Sequence, residues 1–318
     1  AMHLFNLPMA AALSLLQICF MFVFMWVYTR LQRAASVELT PEAGRIVQRD
    51  VATVKDRLIV WGTVSFMLVL LAAPLLALAF RSLSTEGGLS LLYYRALFQN
   101  PSQSIFYIPP VSAIGYSVGY AAVALVMSLC IALPAALFLS RDWGRATSLL
   151  DPLFMLPLAT SSVTLGFGYI IALDEPPLNL RTSLLIVPLA HTLVAYPFVV
   201  RSILPALRSI PAGLRESAVL LGAAPSQVWW KVTAPLIRRP LVVGATFAFT
   251  VSLGEFGATI FLARPELPTM PLAIYRFLGR PGALNYGQAM AMSTILMIVT
   301  AAGFLLLERL RTGPGGEL

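Results

Sequence analysis

Residues Glu216–Pro235 read ESAVLLGAAPSQVWWKVTAP, a soluble-looking stretch held between two long apolar runs. Just before it, Pro211 suits the first turn of a helix, where its missing N–H costs nothing. Leu214, Ala218 and Leu221 then fall at i, i+4 and i+7, one apolar stripe on a short helix. Gly222 stands where a left-handed helix cap is needed, and Pro225 opens a second helix carrying Val228, Trp229 and Val232. Read alone, the pair fits either an amphipathic element on a membrane surface or a docking element for another protein.

The flanking chain shows what surrounds this pair. Of 318 residues, 58% are apolar and only 11% charged, with a mean hydropathy of +0.82, which marks an integral membrane protein. Crossing a ~30 Å hydrocarbon layer takes roughly 20 apolar residues as helix. Stretches of that kind lie within Leu4–Thr29, Leu58–Phe80, Val111–Ser140, Pro152–Leu173, Thr182–Val200, Leu241–Ala263 and Gly282–Leu307. The alternating strands of an outer-membrane barrel are missing.

Net charge is +8, and its distribution follows topology. Alternating the spans gives one side Arg30, Arg33, Arg45, Arg49, Lys55, Arg57, Arg141, Arg145, Arg201, Arg208, Arg215, Lys231, Arg238, Arg239, Arg309 and Arg311. The other side receives Arg81, Arg95, Arg181, Arg264, Arg276 and Arg280. This positive-inside bias sets the Glu216–Pro235 loop in the cytoplasm and removes the case for nucleic acid as a partner. Cys19 and Cys130 lie in apolar spans and read as small apolar fillers.

The spacing of the opening stretch closely resembles the EAA loop of ATP-binding-cassette importer permeases. That pattern is Glu-Ala-Ala, three residues, Gly, nine residues, Ile, one residue, Leu-Pro. Glu216, Ser217 and Ala218 are followed by Gly222 and Ala223, then by Val232 and Pro235 at the family spacing. Ser217 replaces Ala, Val232 replaces Ile and Ala234 replaces Leu. The run IALPAALFLSR at the end of Val111–Arg141 and the run Ser252–Thr259, SLGEFGAT, are similar to stretches of the same clan.

The resemblance implies an all-α transmembrane fold: a type I importer module of six helices, with one extra transmembrane helix at the N-terminal end. It implies that residues 201–240 form the coupling loop and dock into a cytoplasmic ATPase dimer, which would bind ATP and magnesium. A periplasmic or lipid-anchored substrate-binding protein would deliver the cargo, and the chain would sit in the cell inner membrane among its lipids. Ferric iron or thiamine is the favoured cargo, because fused permease modules are typical there; molybdate and sulfate come next.

Fusion is suggested by an internal repeat. Shifted by 279 residues, Asn6, Ala10, Ala12, Ser14, Arg30 and Leu31 fall on Asn285, Ala289, Ala291, Ser293, Arg309 and Leu310. On that reading residues 1–33 are the last helix of an upstream module and residues 34–57 a cytoplasmic linker. Residues 58–311 form the six-helix module, and residues 312–318 a tail. The alternative is a seven-helix permease with one extra N-terminal helix.

Chemistry within the chain is sparse. No P-loop, HExxH, Cys/His metal spacing or G-x-S-x-G elbow occurs, so a transport subunit without catalytic or metal-binding residues is expected. Glu255 is the one carboxylate within an expected span, where ionisable groups cost several kcal/mol unless they face a cavity or partner. Gly254 and Gly257 beside it would allow close approach, and His191 falls midway along another span. These four are the candidates for a translocation path, with Glu255 towards the periplasmic end. The bland readings are a Glu255 bonded within the bundle and a His191 satisfied by packing. Two other classes compete: an ion-coupled secondary transporter relaying protons through Glu255 and His191, and a membrane scaffold without transport.

Overall fold

In hydrocarbon every backbone polar group must be paired within the chain, so these apolar runs become helices. A computed structural model describes residues 7–35, 53–99, 109–141, 145–173, 180 and 183–312. Most of the expected linker and the Gly313–Gly316 tail lie outside the described residues.

Helix α1 covers Leu7–Ala35 and α2 Val54–Leu83. A two-stranded hairpin follows, with β1 at Ser84–Thr85 and β2 at Gly88–Leu89, then α3 at Leu92–Ala96. Next come α4 (Ser112–Ser140), α5 (Arg145–Ala159), α6 (Ser162–Leu173) and α7 (Ile186–Ser209). A short pair follows, α8 (Ala212–Leu220) and α9 (Pro225–Val228), and a π-helical turn at Trp229–Thr233 leads into α10 (Ala234–Gly254). The chain closes with α11 (Thr259–Leu262), α12 (Met270–Leu278) and α13 (Ala283–Thr312). Among the described residues five helices are long and apolar enough to cross a membrane, or six spans if one bent pair counts as a span. The apolar part of α1, Ala12–Tyr28, is shorter than these.

Three expected spans differ from the observed helices. Pro152–Leu173 is not one straight helix, because α5 and α6 meet at 103°. Pro152 and Pro157 remove helix donors in α5, and Thr160 turns both its N–H and its hydroxyl onto the Leu156 carbonyl as α5 ends. Leu241–Ala263 is interrupted as well: the helix begins at Pro225, stops at Gly254, and resumes only for the four residues of α11. Thr182–Val200 is displaced, for α7 runs on to Ser209. His191 therefore sits in the second turn of α7 rather than midway along it.

The bundle centres on α4, α7 and α10. Ala113, Ser117, Ala121, Ala124, Ser128 and Ala132 recur every three or four residues on the buried face of α4, and small side chains let the backbones approach closely. Gly244 of α10 shows how closely: a Cβ there would lie 3.0 Å from the Val199 Cα of α7. One core cluster joins the inner halves of α4 and α7 to α5 and α10; another joins the outer parts of α4 and α10 to α3, α12 and α13. Helix α2 packs on α13 and leaves Phe66, Leu68, Leu71 and Leu76 exposed, as a helix facing lipid or another helix does. Helix α1 runs along α5, where Thr164 of α6 donates to Gln17.

Candidate functional site

The Glu216–Pro235 loop folds as its residues dictate. Helix α8 ends in a Schellman motif: the Gly222 N–H bonds the Val219 carbonyl at 2.9 Å, and the Ala223 N–H bonds the Ala218 carbonyl at 3.0 Å. Gly222 adopts φ +84°, a conformation that a side chain resists. Pro225 opens α9, and the Gln227 side-chain oxygen accepts the free Ala224 N–H at 3.1 Å. The loop is thus a stiff, doubly capped corner.

Its apolar stripe points away from the chain. Leu220 and Leu221 are each 87% exposed and Trp230 is 71% exposed, with Leu214 and Val219 beside them. Trp229 turns inward onto the inner core cluster, edge-on to Trp230. Glu216 and Ser217 are exposed, Ala218, Ala223 and Val232 half-buried, and Pro235 exposed at the start of α10. Nε and one terminal nitrogen of Arg215 are shut off from water without a hydrogen-bond acceptor.

An ion pair ties the entry of this loop to the broken span. Arg208, in the last turn of α7, lies 3.5 Å from Asp151 of α5 and donates to the Leu139 carbonyl of α4 at 3.1 Å. Tyr196 of α7 donates to the Phe154 carbonyl of α5 at 2.7 Å. Three helices thus meet directly behind α8.

Three of the four candidate path residues, Glu255, His191 and Gly257, gather at the end of the bundle away from the Glu216–Pro235 loop. Glu255 caps α10 and is 8% exposed; its carboxylate accepts the Ala258 N–H at 2.9 Å, and its carbonyl accepts the Thr259 hydroxyl at 3.0 Å. His191 is 1% exposed, its ring nitrogens each 2.8 Å from a hydroxyl, Nδ1 from Ser252 and Nε2 from Thr259. Gly257 lies against Ser162, where any Cβ would overlap the Ser162 Oγ. From the other side, a Cβ on Gly166 would stand 2.7 Å from the Ala258 Cα. The break at Glu255–Ala258 is therefore stacked on the first turns of α6, just past the break at Thr160–Ser161. Gly254 stands apart, exposed and with open space where a Cβ would go. Beyond the break, Arg276 of α12 donates to the Pro265 carbonyl. Burial, then repulsion from Arg280, holds its guanidinium below the ordinary value against the pull of Glu266.

Five residues of this arrangement escaped sequence reasoning: Asp151, Ser162, Gly166, Arg208 and the tyrosine Tyr196. Asp151 stands one residue outside the expected span Pro152–Leu173 and Arg208 past the end of Thr182–Val200; polar or small residues inside apolar runs are the signal that could have found Ser162, Gly166 and Tyr196.

The bundle, its exposed corner and its apolar spans are those of a multi-pass membrane protein. Residues 128–312 match the family described as binding-protein-dependent transport system inner membrane component. Over 248 residues the chain is 34% identical to the molybdenum transport system permease protein ModB of Mycobacterium tuberculosis, covering 74% of this chain and 87% of that protein. Over 179 residues it is 31% identical to the provisionally named 2-aminoethylphosphonate transport system permease protein PhnV of Salmonella typhimurium, covering 55% and 65%. A chain of the bacterial alginate ABC transporter, solved with its alginate-bound periplasmic protein, shares the fold with a TM-score of 0.60 at 20% identity. That match covers 79% of this chain and 91% of the other. The chain belongs to the binding-protein-dependent inner-membrane components: it is a type I ABC importer permease, a multi-pass inner-membrane protein and a transport subunit. Ferric iron and thiamine gain no support from these relatives, which are molybdenum and phosphonate permeases.

Proposed function

We propose that this permease carries a tetrahedral oxyanion, molybdate first and a phosphonate second, driven by a cytoplasmic ATPase dimer. The observation that carries the cargo is the 34% identity to a molybdenum permease along most of both chains. A periplasmic or lipid-anchored binding protein delivers the anion. ATP and magnesium stay with the ATPase, which holds the nucleotide chemistry this chain's motifs do not supply.

The exposed corner formed by Glu216, Ser217, Ala218, Gly222, Ala223, Val232 and Pro235 docks on the ATPase. What supports this is its outward apolar edge, Leu220, Leu221 and Trp230, beside charged Arg215 and Glu216. ATP-driven closure of the ATPases displaces α8, and the Arg208–Asp151 contact conveys that displacement to α5 and the bent span. The paired breaks, with Gly254, Glu255, Gly257 and His191, line the outer end of the path. We also propose that residues 1–33 are the closing helix of an upstream module. The 279-residue repeat supports this, and in this reading the upstream module meets the present one along α5.

The test is uptake by proteoliposomes holding the permease, its ATPase and its binding protein, offered molybdate, 2-aminoethylphosphonate, ferric iron or thiamine. ATP-dependent molybdate uptake is expected. Uptake of thiamine or iron with neither anion carried would overturn the cargo assignment.

A further inference from the structure

The hydrogen-bond inventory around His191 is directional. Thr259 has one hydroxyl proton and donates it to the Glu255 carbonyl at 3.0 Å. Towards the ring it can only accept, so Nε2 carries the proton that spans the 2.8 Å to Thr259 Oγ1. In that neutral tautomer Nδ1 offers a lone pair, and the Ser252 hydroxyl donates to it across 2.8 Å. Ser252 lies in the last turn of α10, and Thr259 is the first residue of α11. One imidazole thus joins the two ends of the helix break from outside it, and the chain of bonds runs Ser252 to His191 to Thr259 to Glu255.

We infer that His191 is the positioning residue of the Glu255–Ala258 break, the group that sets its closed geometry and fastens both of its sides, Ser252 of α10 and Thr259 of α11, to α7. The inference rests on the reading that these breaks line the path. The block is larger than the bridge itself. Ala258 and Gly257 are held between Glu255 and the α6 residues Ser162 and Gly166, with no room for a side chain at Gly257 or Gly166. Moving α11 away from α10 must break one of the two His191 bonds, and any shift of Ala258 towards α6 is blocked by the backbone at Gly166. His191 therefore acts as a staple whose release is required when the outer end rearranges, not as a carrier of protons: its single ring proton is committed to Thr259.

The first test uses the full chain alone in nanodiscs, reading amide hydrogen exchange in the peptide that spans Ser252–Thr259. His191→Leu removes both bonds, and exchange there should rise roughly tenfold or more, since each lost bond is worth a several-fold factor in the opening equilibrium. His191→Gln should restore protection, because an amide holds its donor and acceptor about as far apart as an imidazole does. If His191→Leu does not insert, Thr259→Val removes the α11 half of the bridge together with the Thr259 bond to the Glu255 carbonyl, keeps the Ser252 half, and carries the same test. The second test adds the ATPase and reads ATP hydrolysis without binding protein. His191→Leu should raise it and lower cargo moved per ATP, with His191→Gln near wild type; a purely structural role would lower the folded yield and leave that ratio unchanged. Wild-type exchange at Ser252–Thr259 in both His191→Leu and Thr259→Val would overturn the inference. So would an unchanged ratio of cargo to ATP. A wild-type chain that binds no ATPase would instead count against the proposed function, while the exchange measurement still judges His191.

Discussion

Leu220 and Leu221 at the tip of the Glu216–Pro235 loop are each 87% exposed, whereas Glu255, Ser252, His191 and Thr259 at the paired breaks are at most 8% exposed. The two regions invert the usual arrangement in opposite senses, apolar groups outside in one and polar groups inside in the other. Neither gains from this within the isolated chain. The exposed leucines gain only when another surface covers them, at roughly 1.5–3 kcal/mol for each fully buried side chain. The buried polar groups are tolerated because each has its partner, and every one of those bonds must be remade if the bundle changes shape. In the proposed function one end of the bundle is joined to the ATPase and the other is released, with the Arg208–Asp151 contact between them.

The largest effect should come from filling the contact between the breaks. Gly166→Val and Gly257→Val each place atoms where backbone or Ser162 already stands, and overpacking of this kind costs typically 1–3 kcal/mol. Both should abolish uptake and lower the melting temperature of the purified permease. Wild-type melting and uptake would mean that the breaks are not in contact in the membrane. The coupling loop should respond next, and differently. Gly222→Val forces positive φ on a β-branched residue at about 1–2 kcal/mol per residue, so the permease should insert normally yet lose ATPase in pull-downs.

Leu220→Asp with Leu221→Asp sharpens the comparison, since it changes the outward edge without touching the cap. ATPase affinity should fall about tenfold or more while the melting temperature stays put, because little of either side chain is buried in the chain itself. A drop in melting temperature with unchanged affinity would assign these leucines to the permease's own stability. The smallest effect should be that of Glu255→Gln, which keeps a side-chain oxygen to accept the Ala258 N–H. Uptake should fall moderately, remain dependent on ATP and stay insensitive to the proton gradient.

The two regions were not equally legible in the sequence. The coupling loop was, down to the left-handed Gly222 and the Pro225 helix start, because its folding is local. Caps and turn residues act over a few positions, so spacing alone carries them. The paired breaks were legible only as suspicious residues. Glu255, Gly257 and His191 could be picked out as polar or small in apolar runs, but their meeting depends on a 103° bend at Thr160–Ser161 and on the length of α7. Hydropathy reads both broken spans as continuous, since a break of two to four residues scarcely changes a window average. Cargo was the least legible of all: fusion pointed towards iron and thiamine, whereas the relatives reported above are molybdenum and phosphonate permeases.

The central claim is transport powered through the coupling loop, and its most direct measurement is molybdate uptake into proteoliposomes with the ATPase present or absent and the proton gradient intact or collapsed. Uptake is expected to require the ATPase and ATP, to survive an uncoupler, and to disappear with Gly222→Val. Uptake that persists without the ATPase and collapses with the uncoupler would contradict it and make the chain an ion-coupled carrier.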